Sequence, residues 1–169
     1  MPAVCATLLY TRMPSPVGDL LLAGDGDALH HVSMLDGPDP ITPAASWQEA
    51  REPFADAVSQ LDEYFIGQRT TFAVPLVMEG TAFQRQVWRA LQEIPYGATV
   101  SYGELARRIG QPGASRAIGL ANGRNPIAII VPCHRVIGSD GTLTGYGGGL
   151  ERKQLLLDLE LRNRRSLLI

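Results

Sequence analysis

The sequence predicts an α+β protein in which a small domain with an antiparallel sheet precedes a mainly helical domain. In the first third of the chain, short apolar runs are separated by clusters of Gly, Pro and Asp, a pattern typical of strands joined by tight turns. After residue 80, apolar residues recur at spacings of three and four, as in amphipathic helices. We therefore place a boundary at Glu79-Gly80, which gives domains 1–79 and 80–169.

The charge of the chain changes sign at the same boundary. Residues 1–79 contain three arginines and eleven acidic residues, whereas residues 80–169 contain eleven arginines, one lysine and six acidic residues. The halves therefore carry −8 and +6 within a total of −2. Such asymmetry indicates that the second domain binds a polyanion, and nucleic acid is the obvious one.

The N-terminus and the cysteines indicate the compartment. No apolar run reaches the length of a membrane span, and no basic segment precedes a signal-like core. We expect the protein to remain in the cytoplasm and to bind no membrane. Cys5 and Cys133 are too few for a disulfide framework, so both are expected to be thiols.

The first domain is predicted to contain a meander of three strands, a loop, one helix and a final extended segment. The helix is predicted because its apolar residues recur at helical spacing and Gly67 follows them. The last segment is interpreted as a strand or as a linker lying on this domain. In chain order the predicted ranges are strands 7–12, 19–23 and 28–35, loop 37–46, helix 53–65 and extended segment 70–78.

The second domain is predicted to be built from four helices. Thr81 with Gln84 predicts a capping box at the first, and Ser101 predicts the cap of the second. A third helix spans about residues 114–122, with Gly123 as its left-handed stop. The last covers residues 150–161. The middle two, joined by a glycine-containing turn, are typical of a helix-turn-helix, whose second helix enters a DNA groove.

The segment that carries the chemistry lies between the third and the last of these helices. It reads IAIIVPCHRV, from Ile127 to Val136. Five apolar residues predict a short buried strand, which Pro132 ends. Cys133, His134 and Arg135 follow at once. Polar groups just past a buried element are typical of a pocket floor, although an isolated Cys is more often a small core residue.

The second domain resembles the O6-alkylguanine-DNA alkyltransferases. The resemblance is carried by Ser-Tyr-Gly at 101–103, Arg-Ala-Ile-Gly at 116–119, Asn-Pro at 125–126, Pro-Cys-His-Arg-Val at 132–136 and Glu160. It covers about residues 80–161 strongly, and the first domain resembles the family's ribonuclease H-like N-terminal domain more loosely. The resemblance implies DNA repair by a single transfer of an alkyl group from O6-alkylguanine, and from O4-alkylthymine, to the protein.

The resemblance also implies residue roles. Cys133 matches the alkyl acceptor, His134 the histidine that activates it through water, and Glu160 the carboxylate that orients the histidine. Asn125 matches the hinge asparagine. Tyr102 matches the tyrosine that helps to rotate the nucleotide and donates to the guanine.

Further residues are implied to contact the DNA or the base. Arg116 matches the finger that fills the vacated stack. Val136 offers a backbone carbonyl to the guanine amine, and Gly147 a backbone N–H near O6, where some members carry Ser. The other implied contacts are Ser101, Ala117, Gly123, Arg135 and Tyr146.

The implied partner is double-stranded DNA containing O6-alkylguanine, contacted through its minor groove. The protein is expected to be a monomer when free, with cooperative binding along DNA left open. No cofactor is implied. Some relatives hold zinc with two cysteines and two histidines, but here only Cys5, His30 and His31 offer such ligands in the first domain, so no metal is expected.

The chemistry of the residues is consistent with these roles. Neighbouring side chains on a strand face opposite ways, so His134 reaches Cys133 only through a water or a turn. A carboxylate-held histidine is expected to lower the pKa of the thiol. Two alternatives remain: a non-catalytic binder of damaged DNA, which would replace the cysteine, and a Cys-His hydrolase, which would turn over repeatedly without DNA.

Overall fold

The computed structural model describes residues 7–167, with side chains described to residue 165. The first domain contains a four-stranded sheet of order β3-β2-β1-β4. Neighbours are antiparallel except that β4 lies parallel to β1. The strands are β1 (Leu9–Met13), β2 (Leu20–Gly24), β3 (Leu29–Met34) and β4 (Gln48–Glu49). The predicted meander is confirmed, whereas the two-residue β4 was not predicted.

One helix covers this sheet. A 3₁₀ turn, Glu52–Phe54, leads into α1 (Ala55–Phe65), which buries Ala57, Val58, Leu61, Tyr64 and Phe65. These residues lie on the face that the apolar spacing predicted. Residues 70–78 form a linker along β3, with a single bridge between Leu29 and Leu76.

The helices of the second domain confirm the predicted helical pattern. They are α2 (Ala82–Gln92), α3 (Tyr102–Arg108), α4 (Ser115–Gly123) and α5 (Leu150–Leu167). Thr81 and Gln84 form the complete capping box of α2, and Ser101 caps α3. Two short parallel strands, β5 (Val100–Ser101) and β6 (Val136–Ile137), bring the start of α3 beside the end of the Cys-His-Arg segment. The mixed α+β class is confirmed.

Two predictions about helix ends are wrong. Gly123 is the last residue of α4 and does not adopt a left-handed conformation; the helix ends on Arg124 with ordinary backbone angles. The last helix continues to Leu167, so Glu160 lies within α5. Of its predicted inward residues, Leu156 is fully buried and Leu159 packs against the core, but Leu155 is half exposed.

The predicted strand over residues 127–131 is also wrong, because this segment folds into a tight turn. The Asn125 amide donates to the carbonyls of Ile127 and Val131, and its oxygen accepts from the Ile127 N–H. Val131 N donates back to Ile127 O. Ile129 has a φ of 71°, the left-handed region that a β-branched residue rarely adopts.

A continuous apolar core joins the two parts of the chain. It runs from Met13 and Leu61 in the first domain to Leu91, Ile118 and Leu156 in the second. Within this core, Ile127 forms a bridge with Val32 on the outer edge of β3. The first domain therefore supports the segment that leads into Cys133. Among the described residues, no helix has the length and apolarity needed to cross a membrane.

Candidate active site

Cys133, His134 and Arg135 form a 3₁₀ turn beneath α5. All three are buried, with Cys133 5% and His134 0% exposed. The turn places His134 against Glu160 of α5, with 2.5 Å between Nε2 and Oε2. The predicted histidine and carboxylate are therefore brought together although 26 residues separate them.

Glu160 is buried and accepts hydrogen bonds from several directions. Oε1 accepts from Arg135 Nε at 2.8 Å and from Gly97 N at 3.1 Å. Oε2 accepts from Tyr64 Oη at 2.6 Å and from Arg135 Nη2 at 3.1 Å, besides its contact with His134. Burial raises the pKa of Glu160, but His134 and Arg135 outweigh burial and lower it strongly. The carboxylate is therefore ionised.

This arrangement determines the tautomer of His134. Burial lowers the pKa of His134, and Glu160 opposes this, so the ring is neutral near pH 7. A neutral ring facing a carboxylate donates to it, which places the proton on Nε2. Nδ1 is then a lone-pair acceptor, and this atom is buried without a hydrogen bond to any described residue. His134 presents an available base inside the core.

The Cys133 thiol has a pKa raised by burial. This direction is opposite to the lowering that we expected from a Cys-His pair, since burial dominates. The Asn125 amide and the Lys153 ammonium act the other way and favour the thiolate. Asn125 thus shapes the turn before Cys133 and also favours the thiolate form of that residue.

Lys153 is a buried residue beside Cys133 that was not predicted from the sequence. Its side chain is fully buried on α5, and Nζ donates to Val136 O at 2.7 Å and to Thr144 O at 2.9 Å. Burial lowers its pKa, and the charge of Cys133 raises it. Helical spacing was the available signal, because residues 153, 156 and 160 share one face of α5.

Two cavities share Gly123 and Tyr146 in their walls. The inner cavity, about 480 Å³, reaches Cys133 and is lined on one side by Met34 and Ile41. The outer groove, about 660 Å³, is lined by Tyr102, Ser115, Arg116, Gly119, Leu120 and Tyr146 among others. Tyr146 lines both cavities, and its hydroxyl is buried without a hydrogen-bond partner among the described residues.

The outer groove lies on the helix-turn-helix. Arg116 is exposed in the first turn of α4. Tyr102 begins α3 and donates to Thr144 O at 3.2 Å. The predicted contacts Ala117 and Gly123 are exposed on α4, and the Ser101 hydroxyl accepts from Glu104 N as the cap of α3.

Comparison with known proteins decides the family. Residues 82–162 match the model of the 6-O-methylguanine DNA methyltransferase DNA-binding domain, and residues 8–78 match that of the ribonuclease-like domain of the same proteins. The chain is 55% identical over 153 residues to a methylated-DNA–protein-cysteine methyltransferase of Methanosarcina acetivorans, covering 90% of this chain and 98% of that protein. The chain belongs to the O6-methylguanine-DNA methyltransferase family.

Other relatives extend this methyltransferase likeness. A Mycobacterium leprae methylated-DNA–protein-cysteine methyltransferase is 58% identical over 149 residues, covering 88% of this chain and 89% of that protein. The crystal structure of Mycobacterium tuberculosis OGT in complex with DNA matches with a TM-score of 0.86 and 54% identity, covering 92% of this chain and 94% of that chain. The enzyme class predicted from the sequence is confirmed.

One predicted DNA contact of this methyltransferase is at odds with the structure. Arg135 is 6% exposed, and its guanidinium donates to both oxygens of Glu160 and, from Nη1, to Ile94 O at 2.7 Å. A guanidinium held in this way does not reach a DNA backbone. Arg135 instead positions the carboxylate, because a buried carboxylate requires a paired charge.

Two backbone contacts predicted for the methyltransferase site can be placed. Val136 O accepts from Lys153, which leaves one lone pair of this carbonyl for another donor. Gly147 is exposed, and a Cβ added there would meet no atom within 4 Å. The space at this position would accommodate a serine side chain.

Among the described residues, no group of three or more His, Cys, Asp or Glu side chains could hold a metal ion. His30 contacts Asp25 at 3.1 Å, and His31 stacks on Trp47 at 5.9 Å, so the two histidines have different surroundings. Cys5 lies outside the described residues.

We expect a Lys153→Met variant to transfer alkyl groups about tenfold more slowly near neutral pH. The ammonium lowers the pKa of Cys133, so its loss reduces the thiolate fraction. Rates measured across pH should show a profile displaced to higher pH, with the wild-type rate approached in alkali. An equal loss at every pH would instead indicate a packing defect.

The acid stability of the fold should depend on the same cluster. The folded-state pKa of His134 lies below its ordinary 6.5, so the unfolded chain binds this proton first and stability falls as the pH drops below 6.5. The lowered pKa of Glu160 gives stabilisation that is lost as the pH falls below 4.5. Urea unfolding across both ranges measures the two losses. The Glu160→Gln substitution should remove the loss of stability below pH 4.5. If stability still falls with the wild-type slope in that range, the assignment to Glu160 is contradicted.

Proposed function

We propose that this chain repairs O6-alkylguanine in duplex DNA by transferring the alkyl group once to Sγ of Cys133. The observation that supports this proposal most directly is the buried arrangement of Cys133, His134 and Glu160 beside a groove on the helix-turn-helix. His134 Nδ1 accepts the thiol proton through a water molecule. Glu160, held ionised by Arg135, stabilises the resulting imidazolium.

The reaction forms one bond and breaks one bond. Sγ attacks the alkyl carbon, the C–O6 bond breaks, and its electron pair remains on the guanine, which takes up a proton. Tyr102, which lines the outer groove, donates that proton. The product is a thioether, which has no carbonyl for water to attack, so the protein is consumed after one transfer.

Nucleotide flipping is the second part of the proposal. A base inside a duplex cannot reach a cysteine that is 5% exposed, so the damaged nucleotide leaves the stack. Arg116 fills the gap, and small residues on α4 allow close approach to the DNA. Tyr146, which lines both the outer groove and the inner cavity, moves aside as the base enters.

The mode of binding and the substrate range belong to the same proposal. The protein is a monomer when free, contacts the minor groove through α4, and acts on O4-alkylthymine as well. Cooperative binding along DNA would appear as a sigmoidal binding isotherm on long duplexes. These features rest on the resemblance and on the exposure of Arg116, Ala117, Leu120 and Gly123 on α4.

The proposal is tested by incubating the protein with a duplex that contains one O6-methylguanine labelled in the methyl group. We expect one equivalent of label on protein and an increase of one methylene in the mass of the peptide that contains Cys133. Label released as methanol would indicate hydrolysis. Binding without label transfer would indicate a recognition protein. Label on another residue would contradict the acceptor assignment.

A further inference from the structure

Tyr64 connects the first domain to the reactive centre. It lies on α1, yet its hydroxyl donates to Oε2 of Glu160, 96 residues later, at 2.6 Å. Both side chains are 0% exposed, so water does not replace this hydrogen bond. None of the roles assigned above uses Tyr64.

The oxygen that Tyr64 contacts is the one that faces His134. Oε2 of Glu160 lies 2.6 Å from Tyr64 Oη and 2.5 Å from His134 Nε2. Arg135 Nη2 donates to the same oxygen from 3.1 Å, so three donors share it. Each donor reduces the negative charge that is available to the others, so Tyr64 acts on the histidine through the carboxylate.

The hydroxyl of Tyr64 is a permanent donor in a fixed position. Burial, together with the charge of Glu160, holds the pKa of Tyr64 well above its ordinary value of 10.0, so the proton stays on the oxygen. The ring contacts those of Phe65, Phe72 and Tyr96, with centroids 5.2, 5.6 and 6.0 Å away. This packing restricts rotation of the ring.

Other charged or titratable groups also face this pair. Arg135 and Cys133 come from the 3₁₀ turn, Lys153 from α5, Tyr96 from the segment before β5 and Tyr146 from the loop before α5. Arg135 and Lys153 lower the pKa of His134 through their charges. Among these groups, Tyr64 is the one contributed by the first domain.

We propose that Tyr64 is a positioning residue for alkyl transfer, holding Oε2 of Glu160 beneath His134 and limiting the basicity that the carboxylate gives to the ring. The proposal rests on the proposed function, in which His134 Nδ1 takes the thiol proton. Without the hydroxyl, Oε2 carries more negative charge and the imidazolium is favoured. The neutral ring is the competent base. As the pH falls, it is then protonated at a higher pH than in the wild type.

The test compares wild type, Tyr64→Phe and Tyr96→Phe on free O6-benzylguanine, a substrate that needs no DNA. Tyr96→Phe is the matched control, because it removes a hydroxyl from the same aromatic cluster. That hydroxyl accepts a hydrogen bond from Asn163 and does not contact Glu160. For Tyr64→Phe we expect a three- to tenfold slower transfer below neutral pH, a smaller loss in alkali, and an acid limb displaced to higher pH. The control should keep the wild-type acid limb.

A second measurement does not depend on transfer. In a Cys133→Ser background, the ¹⁵N signals of His134 can be titrated with and without Tyr64→Phe, and the substitution should raise the midpoint. The inference is overturned if the titration midpoint of His134 is unchanged and the ratio of wild-type to Tyr64→Phe transfer rates does not depend on pH. Tyr64 would then only stabilise the fold. Absence of transfer by wild type from the labelled O6-methylguanine duplex would refute the proposed function, while the titration would still test the contact.

Discussion

A Cys133→Ser variant is expected to bind duplex DNA normally and to transfer no alkyl group. A serine hydroxyl ionises far less readily than a thiol and is a weaker nucleophile, so the rate should fall by about 10⁴-fold or more. Binding should be kept because residue 133 lies inside the protein and not on the exposed surface of α4. The measurements are covalent label on the denatured protein and a gel shift on the same duplex.

Two controls sharpen this expectation. A Cys5→Ser variant should transfer one full equivalent, since the proposed acceptor is the thiol beside His134. Covalent label on Cys133→Ser at the wild-type rate would mean that another side chain accepts the alkyl group. Loss of both DNA binding and alkyl transfer would mean that the substitution disturbs the fold, which thermal unfolding would reveal.

An Arg116→Ala variant is expected to lose repair of duplex DNA selectively. Flipping a nucleotide costs a few kcal/mol of stacking and pairing, and a side chain in the gap prevents the base from returning. The guanidinium can stack between bases and bond to the orphaned partner, which alanine cannot do. We expect the second-order rate on duplex O6-methylguanine to fall about 10- to 100-fold.

Free O6-benzylguanine separates flipping from chemistry. It needs no extrusion, so Arg116→Ala should react with it at nearly the wild-type rate. Arg107→Ala is the matched control, because it removes an exposed charge from α3 at a position outside the outer groove. The Arg107→Ala substitution should weaken DNA binding in a salt-dependent way and should have little effect on the transfer rate at saturating DNA. Equal losses on both substrates for Arg116→Ala would show that this residue supports the fold or the thiolate.

Local signals predicted most of the helical framework. The Thr81 box, the Ser101 cap and the apolar face of α1 are encoded within a few residues of each element, so periodicity and capping chemistry suffice to place them. Two-residue strands carry no such signal, which explains why β4, β5 and β6 were not predicted. The apolar run at 127–131 was misassigned because its shape is set by the side chain of Asn125.

The environment of the site required the tertiary structure. The sequence places His134 beside Cys133, but the burial that raises the pKa of the thiol arises from packing of the 3₁₀ turn against α5 and α2. Arg135 was interpreted as a DNA contact from the resemblance to the family. Its interior position depends on Glu160, 25 residues later. Tyr64 and Lys153 were missed for the same reason.

The burial of Lys153 has a practical consequence for chemical labelling. It is the only lysine in the chain and its side chain is fully buried, so amine-reactive crosslinkers and lysine-directed tags find no lysine on the folded surface. Acylation at residue 153 therefore reports that the reactive centre has opened. A pulse of an amine reagent, read by mass spectrometry on one peptide, would follow this opening before and after Cys133 has been alkylated.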